Sequence, residues 1–221
     1  FVARTFYPGL GRLGLEDGSA GDRGWYCERW IGSCVQADND DWIDGEGMSL
    51  VALSDGGTMR LAEALQHRGS VLLGDAYASS HQNRFGLLSK ILDVGEPIPW
   101  HIHAGEEDAR RIWSMPGKEE AYFFLDTASR GPLPYSHIGV HPDVTQADLL
   151  PLLRDWKDDR TLDLSPAYRL TIGEGFHVPP GMPHAPGTAL TLELQEESDV
   201  YNILQAVACA QSFDKSLLLR R

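Results

Sequence analysis

The pattern of apolar and polar positions along the chain predicts many short strands. Short apolar runs separated by turns that contain Gly or Pro are typical of strands rather than of helices. Such runs cover residues 25–35, 48–53, 85–94, 100–103, 121–125, 168–172, 176–178, 189–194 and 201–207. The clearest of them is AYFFL at 121–125. The chain is therefore predicted to be mainly β, with its strands arranged as a sandwich or a barrel.

Two segments have the apolar spacing of a helix instead. Residues 59–67 place apolar side chains on one stripe, and Gly69 is expected just beyond the end of this helix. Residues 145–156 carry leucines on one face behind Thr145, a suitable N-cap residue. Pro151 lies inside this second segment and should kink or shorten it. The prediction is a β domain with one or two short helices.

The length and the charge limit the organisation and the partners. The chain of 221 residues allows one compact domain. Residues 1–24 show no period and are predicted to be an irregular N-terminal segment, followed by one domain over 25–221 with a helical insertion near 142–158. With 19 Lys and Arg against 32 Asp and Glu, the net charge of −13 argues against nucleic acid and anionic membranes as partners.

The same composition bears on the cellular compartment. No apolar run approaches the roughly 20 residues that a membrane helix needs. No basic start followed by an apolar stretch is visible, so no secretory signal is predicted. Three cysteines without a CxxC pair favour reduced thiols in a cytoplasmic protein.

Histidines and a glutamate form the candidate chemistry. In a strand, alternate side chains share a face, so His101 and His103 point into the same space. His184 follows the rigid turn PPGMP, and Glu120 opens the buried strand AYFFL. Three imidazoles with one carboxylate are ligands typical of a divalent transition metal. Zinc, iron, manganese, cobalt and nickel would all accept these ligands.

The spacing of these residues resembles the cupin motifs. Gly95, five residues and then His101-x-His103 match the first half of the first motif, and Gly173 with the following PPGMPH matches the second. The cupin resemblance implies a jelly-roll β-barrel. Glu120 lies further from the histidine pair than the cupin glutamate usually does, and Glu107 is the rival for that position.

A longer stretch resembles one cupin subfamily, the type I mannose-6-phosphate isomerases. The resemblance runs from about residue 86 to 199 and includes PGKEEAYFFLD, LTIGEGFHVPPGMPHA and LELQEESD. It implies a divalent metal ion, zinc as the first expectation, held by His103, Glu120 and His184, with His101 as a fourth ligand where the family has Gln or Lys. It also implies a small carbohydrate substrate and exposed strands that can pair two copies into a homodimer.

The resemblance and the chemistry of isomerisation together suggest further site residues. An aldose–ketose isomerase needs a group that moves a proton, and Lys90 and Glu193 are the candidates. Each has a simpler interpretation, as an edge lysine and as a solvent-facing glutamate. Trp100 and Tyr122 are candidate walls for the substrate or core aromatics, and Arg110 is a candidate contact for an anionic group.

Departures from the family keep three functions open. After Ser198-Asp199 the family has T-Y-R with a catalytic arginine, whereas this chain continues Val-Tyr-Asn. Ala104 also replaces the proline that follows the metal histidine. A metal-dependent sugar or sugar-phosphate isomerase is the leading hypothesis. The alternatives are a metal-dependent cupin oxidoreductase or dioxygenase and a sugar-binding cupin without catalysis.

Overall fold

The chain folds mainly as two β-sheets, in a computed structural model that describes residues 1–5, 7–15, 18–125 and 131–219. The larger sheet is antiparallel and contains, in spatial order, β1 (Val2–Arg4), β2 (Trp25–Ile31), β5 (Leu87–Leu92), β12 (Thr191–Glu196), β7 (Glu120–Phe124) and β10 (Gly175–Val178). The smaller sheet contains, in spatial order, β13 (Asn202–Ile203), β6 (His101–Ile102), β11 (His184–Ala185), β8 (Tyr135–Ile138) and β9 (Ala167–Arg169). The mainly β prediction is confirmed.

Two hairpins and several helices complete the fold. The hairpins pair β3 (Leu50–Ala52) with β4 (Thr58–Arg60) and β14 (Val207–Ala208) with β15 (Gln211–Ser212). The α-helices are α1 (Leu61–Leu73), α2 (Asp75–Ser80), α3 (Glu106–Trp113) and α4 (Gln146–Asp155). Short 3-10 helices cover Gly21–Arg23, Arg160–Leu164 and Lys215–Leu219. Within the described residues, no helix has the length and apolar character needed to cross a membrane.

The helices differ from the sequence predictions in instructive ways. Helix α1 has a kink with non-helical backbone at Arg68, directly before Gly69, where the sequence predicted its end, and it continues beyond the kink to Leu73. A Cβ at Gly69 would lie 2.0 Å from the Asn83 side chain, so the glycine permits close packing. Helix α4 begins directly after Thr145, the predicted N-cap residue, and the prediction that Pro151 would kink or shorten it is wrong, because the helix continues through Pro151 to Asp155. Helices α2 and α3 were not predicted, and β1 lies within the segment expected to be irregular.

Packing defines which face of each sheet is internal. On the smaller sheet, Trp100 and Ala185 pack with Leu204 against apolar side chains of α4. The opposite face of this sheet therefore points towards the larger sheet, where Tyr122 and Phe124 of β7 are buried. The space between the two sheets contains the candidate site. Cys27, Cys34 and Cys209 form no disulfide.

Candidate metal centre

Four side chains from the two sheets meet in the buried space between them. The imidazoles of His101, His103 and His184 and the carboxylate of Glu120 offer ligand atoms that all lie within 4.8 Å of one another. His101 and His184 are paired opposite each other on β6 and β11. Glu120 is the first residue of β7 in the larger sheet. The fold thus brings together the four residues that the sequence singled out.

The local sequence explains how the rings converge. His101 and His103 alternate with Ile102, so both rings leave the same face of the strand, and their centroids are 4.9 Å apart. His184 comes out of the proline-rich turn directly into β11. Its ring centroid lies 4.1 Å from that of His101 and 5.1 Å from that of His103.

Backbone carbonyls fix the orientation of all three rings. The Nδ1 atoms of the three histidines lie within hydrogen-bond distance of carbonyl oxygens: Pro99 O at 2.7 Å for His101, Val200 O at 3.1 Å for His103 and Met182 O at 2.9 Å for His184. A carbonyl can only accept, so Nδ1 carries the hydrogen and, in the neutral ring, Nε2 keeps a free lone pair. Metal-binding histidines are held in this way.

The Nε2 atoms of His103 and His184 then face the Glu120 carboxylate with lone pairs on both sides and no hydrogen atom to share between them. His103 Nε2 lies 3.2 Å from Glu120 Oε1 but makes no hydrogen bond of acceptable geometry. His184 Nε2 lies 3.1 Å from Glu120 Oε2. Buried lone pairs that face one another are costly unless a proton or a cation lies between them. Imidazole and carboxylate ligands that converge in this way fit a divalent ion with bonds of about 2.0–2.2 Å.

Burial sets the protonation of the histidines. Desolvation is the main cause that lowers the pKa of His103 to about 3. Desolvation, reinforced by His184 and His103, holds the pKa of His101 well below its usual value. Both rings are therefore neutral near pH 7, which is the form that binds a metal.

The carboxylate of Glu120 is kept charged by its neighbours. Burial alone would raise its pKa, but His103 and Lys118 outweigh that effect and lower the pKa well below the usual value. Lys118 Nζ lies 2.9 Å from Glu120 Oε1, and the Tyr122 hydroxyl donates a hydrogen bond to Glu120 Oε2. Glu120 is thus an ionised ligand candidate in a buried position.

A second charged group lies beside the first and includes both candidate proton-transfer residues. Lys90 on β5 and Glu193 on β12 are cross-strand partners, and Lys90 Nζ lies 3.5 Å from Glu193 Oε2. Both side chains are buried, so neither the edge-lysine nor the solvent-facing interpretation holds. The Lys90 ammonium also lies 4.9 Å from the centre of the Trp30 ring, a cation–π contact.

Sequence reasoning missed three further members of this group. Arg4 Nε lies 2.7 Å from Glu28 Oε1, and Arg4 Nη2 lies 3.0 Å from Asp199 Oδ2. Lys90 Nζ lies 3.7 Å from Glu28 and 3.5 Å from Asp199. Asp199 stands in the quoted ESD motif, but no pattern in the sequence marks Arg4 as a buried residue.

The two groups share one cavity of about 490 Å³, part of it open to solvent. The predicted residues His101, Glu120, Tyr122, Lys90 and Glu193 line it. Its other lining residues include Arg4, Glu28, Lys118, Asp199, Tyr201 and several aliphatic side chains.

Three sequence-based assignments are corrected by the structure. Trp100 does not line the cavity, because it alternates with His101 and so faces the core under α4. Arg110 lies exposed on α3, where it pairs with Glu106 one turn earlier. Glu107 lies exposed on the same helix and is not part of the four-residue group, so Glu120 is the glutamate that meets the histidines.

Sequence comparison relates part of the chain to a known protein. No family model matches the chain. Over 119 residues, or 53% of its length, the chain is 29% identical to the mannose-6-phosphate isomerase ManA of Bacillus subtilis strain 168. The aligned part is only 36% of that relative.

Solved structures extend the similarity to nearly the whole chain. The structure of the Bacillus subtilis mannose 6-phosphate isomerase matches 97% of this chain and 64% of its own length, with a TM-score of 0.70 and 20% identity. A variant of the Salmonella typhimurium phosphomannose isomerase matches 99% of this chain and 71% of its own, with a TM-score of 0.67 and 14% identity. The chain therefore has the cupin fold of the mannose-6-phosphate isomerases and resembles that family in sequence over about half of its length.

Proposed function

We propose that this protein is a metal-dependent aldose–ketose isomerase that acts on a sugar or a sugar phosphate. The observation that carries the proposal is the buried group of three imidazoles and one carboxylate, of which His101 and Glu120 line one cavity together with the Lys90–Glu193 pair. The similarity in fold and sequence to mannose-6-phosphate isomerases supports the same reaction class.

The proposed metal ligands are His101, His103, Glu120 and His184. Zinc is the proposed ion, and iron, manganese, cobalt or nickel would suit the same donors. A divalent cation held there would polarise the sugar carbonyl and stabilise the negative charge of the enediolate. Tyr122, whose hydroxyl donates to Glu120, would hold that carboxylate in place and form one wall of the substrate site.

Glu193 is the proposed proton carrier. Burial is the main cause that raises its pKa to about 8, and Glu120 adds to the effect. A carboxyl group with a pKa near neutrality can both take and return a proton. In the proposed reaction, Glu193 removes the proton from the carbon next to the carbonyl and returns it to the former carbonyl carbon, while the hydroxyl proton on the first carbon passes to the former carbonyl oxygen.

Lys90 is proposed to assist Glu193 rather than act as the base. Burial alone would lower its pKa, but the surrounding carboxylates of Glu193, Glu28 and Asp199 outweigh it and raise the pKa. Lys90 therefore remains an ammonium group throughout. Its charge, 3.5 Å from Glu193, stabilises the carboxylate form that accepts the proton.

The test combines metal analysis with turnover. Protein loaded with each candidate metal is assayed for aldose–ketose interconversion with a panel of sugars and their phosphates. His103→Ala and His184→Ala should each lose the metal and the activity, whereas His177→Ala, at an exposed position, should keep both. Glu193→Gln should keep the metal and lose turnover. Unchanged metal content in both ligand variants would refute the metal centre.

A metal-dependent oxidoreductase is the second candidate, because His101 gives a set of three histidines and one glutamate that also suits iron and O₂ chemistry. Oxygen consumption by the iron-loaded protein without isomerisation would favour it. Sugar binding without any turnover would instead favour the non-catalytic alternative.

A cytoplasmic homodimer is also part of the proposal. Ile31, Leu87, Phe123 and Leu194 lie on one face of the larger sheet, and each is 44–46% exposed. Apolar side chains gathered on one face are typical of surfaces that pair with another subunit. Light scattering coupled to size-exclusion chromatography would measure the oligomeric state, and Leu194→Glu should give monomers.

A further inference from the structure

Alternate residues of one segment of the chain face the cavity between the sheets. Asp199, Tyr201 and Ile203 line the cavity, whereas Val200 and Asn202, which lie between them in the sequence, do not. Such alternation is typical of an extended chain, and this segment leads directly into β13. The segment therefore forms one wall of the cavity.

This wall lies directly beside the histidines of the candidate metal centre. Ile203 is paired with His101 across β13 and β6. The ring of Tyr201 makes a T-shaped contact with the His101 imidazole, with 6.1 Å between the two ring centroids. The Val200 carbonyl accepts the hydrogen bond from His103 Nδ1. The backbone on both sides of Tyr201 is therefore held by the same two histidines that are proposed to bind the metal.

Tyr201 differs from the other tyrosines of the cavity in its exposure. The described part of the chain contributes three tyrosines to the lining: Tyr7, Tyr122 and Tyr201. Tyr7 and Tyr122 are only 4% and 5% exposed, and their hydroxyls donate hydrogen bonds to buried carboxylates. Tyr201 is half-buried and also lines an outer cleft of about 1090 Å³ that adjoins the cavity. A ligand at the boundary between the cleft and the cavity would therefore contact the side chain of Tyr201.

We infer that Tyr201 is a further substrate-binding residue, whose ring packs against the C–H face of the sugar, an inference that rests on the function proposed above. The hydroxyls of a sugar need hydrogen-bond partners, whereas its C–H groups are apolar and pack favourably on an aromatic ring. Lys90 and Glu193 offer polar partners in the cavity, and Tyr201 and Ile203 offer an apolar wall. Small-molecule sites combine these two kinds of surface. The contact is the same for a sugar and for its phosphate, because both have the same C–H face.

Steady-state kinetics of metal-loaded variants tests the role of the ring. Tyr201→Phe keeps the ring and should keep KM within about twofold of the wild type. Tyr201→Leu and Tyr201→Met keep an apolar side chain without the ring and should raise KM about tenfold. Their kcat should change by less than about threefold, because a contact made equally in the ground state and the transition state affects KM alone. A wild-type KM in both ring-free variants, or an equal rise in Tyr201→Phe, would overturn the inference.

Three controls separate this contact from other roles of the residue. Tyr168→Leu removes an exposed ring on β9, outside the cavity and the outer cleft, and should leave KM unchanged. The metal content of Tyr201→Leu should equal that of the wild type, whereas loss of the metal would mean that Tyr201 supports His101 and would overturn the inference. The rise in KM should be the same for a sugar and for its phosphate. A rise confined to the phosphates would assign the contact to the phosphate group and would also overturn it.

Equilibrium binding separates this inference from the proposed function. If no sugar or sugar phosphate is turned over, the isomerase proposal fails. Calorimetric titration of the metal-loaded protein with hexitols and hexitol phosphates, which cannot react, then decides the inference independently. A Kd about tenfold higher in Tyr201→Leu, but not in Tyr201→Phe, supports it. An unchanged Kd in Tyr201→Leu, or no binding of any of these ligands to the wild type, overturns it.

Discussion

Replacing Arg4 by methionine tests whether the N-terminal strand holds the charged network of the cavity together. Arg4 is only 3% exposed and contacts Glu28 and Asp199, which belong to distant parts of the chain. It also donates to Asn39 Oδ1 at 2.9 Å. Methionine keeps most of the buried aliphatic volume and removes the guanidinium, so the variant isolates the loss of charge and hydrogen bonds.

The expected loss of stability follows from what remains around the two carboxylates. Removing one partner of a buried ion pair costs about 3–5 kcal/mol, because the charge left behind is uncompensated. Glu28 and Asp199 would still share Lys90, at 3.7 Å and 3.5 Å, so the lower end of the range, about 3 kcal/mol, applies. In a domain of this size that corresponds to a fall in Tm of about 6–12 °C.

Reversible urea unfolding followed by circular dichroism measures this loss, with Arg84→Met as the matched control. Arg84 is 51% exposed in its pair with Glu197, and such surface pairs contribute less than about 1 kcal/mol. In a double-mutant cycle, Arg4→Met and Asp199→Asn should show a coupling energy of about 1–3 kcal/mol. If Arg4→Met loses no more stability than Arg84→Met, the network does not depend on the N-terminal strand.

Three further predictions concern the metal centre and its sheet. Metal at about a thousand times its dissociation constant should stabilise the fold by about 4 kcal/mol, seen as a chelator-reversible rise in Tm of roughly 8–16 °C. No rise with any of the candidate metals would contradict the site. Without metal, the free energy of unfolding should fall as the pH drops from about 6.5 towards 3. In this range His103 binds a proton in the unfolded chain but stays neutral in the folded protein, where burial lowers its pKa. Urea unfolding midpoints between pH 8 and pH 4 measure this loss, and the dependence of stability on pH should be weaker in His103→Gln. Gly175→Ala should cost about 2 kcal/mol or more, since its Cβ would lie 1.8 Å from Tyr122 O. Gly139→Ala, which meets open space at a φ of +74°, should cost only about 1 kcal/mol in the same unfolding assay.

The histidine pair was predictable because strand geometry needs no tertiary information. Alternation alone places His101 and His103 on one face, and the proline-rich turn before His184 fixes where that ring begins. The same rule, applied fully, would also have excluded Trp100 from the site, since it shares its face with Ile102. Helix α3 could also have been predicted, because acidic residues in its first turn and Arg110 in its last turn are typical of a helix.

The charged network was beyond the sequence because it depends on contacts between distant segments. Arg4 and Asp199 are 195 positions apart, and their contact exists only once β1 has added to the edge of β2. From the sequence alone, Lys90 is interpreted as an edge residue. Only the sheet topology shows that its strand lies between β2 and β12. Burial of a charge is decided by topology, and local composition does not report topology.

The orientation of β12 favours a functional site over a purely structural core in the space between the sheets. Its polar residues Thr191, Glu193 and Gln195 point inward and are almost fully buried, whereas Leu194 points outward and is 44% exposed. Turning this strand over would place Leu192 and Leu194 on the inner face where Glu193 now lies at the centre of the strand, and burying a charge at that position is the costlier choice for stability alone. The observed register instead places Glu193 against Lys90 and in the cavity that His101 and Glu120 of the candidate metal group also line. A fold that keeps its less stable face inside needs a reason outside stability, and binding and proton transfer in that cavity are such a reason.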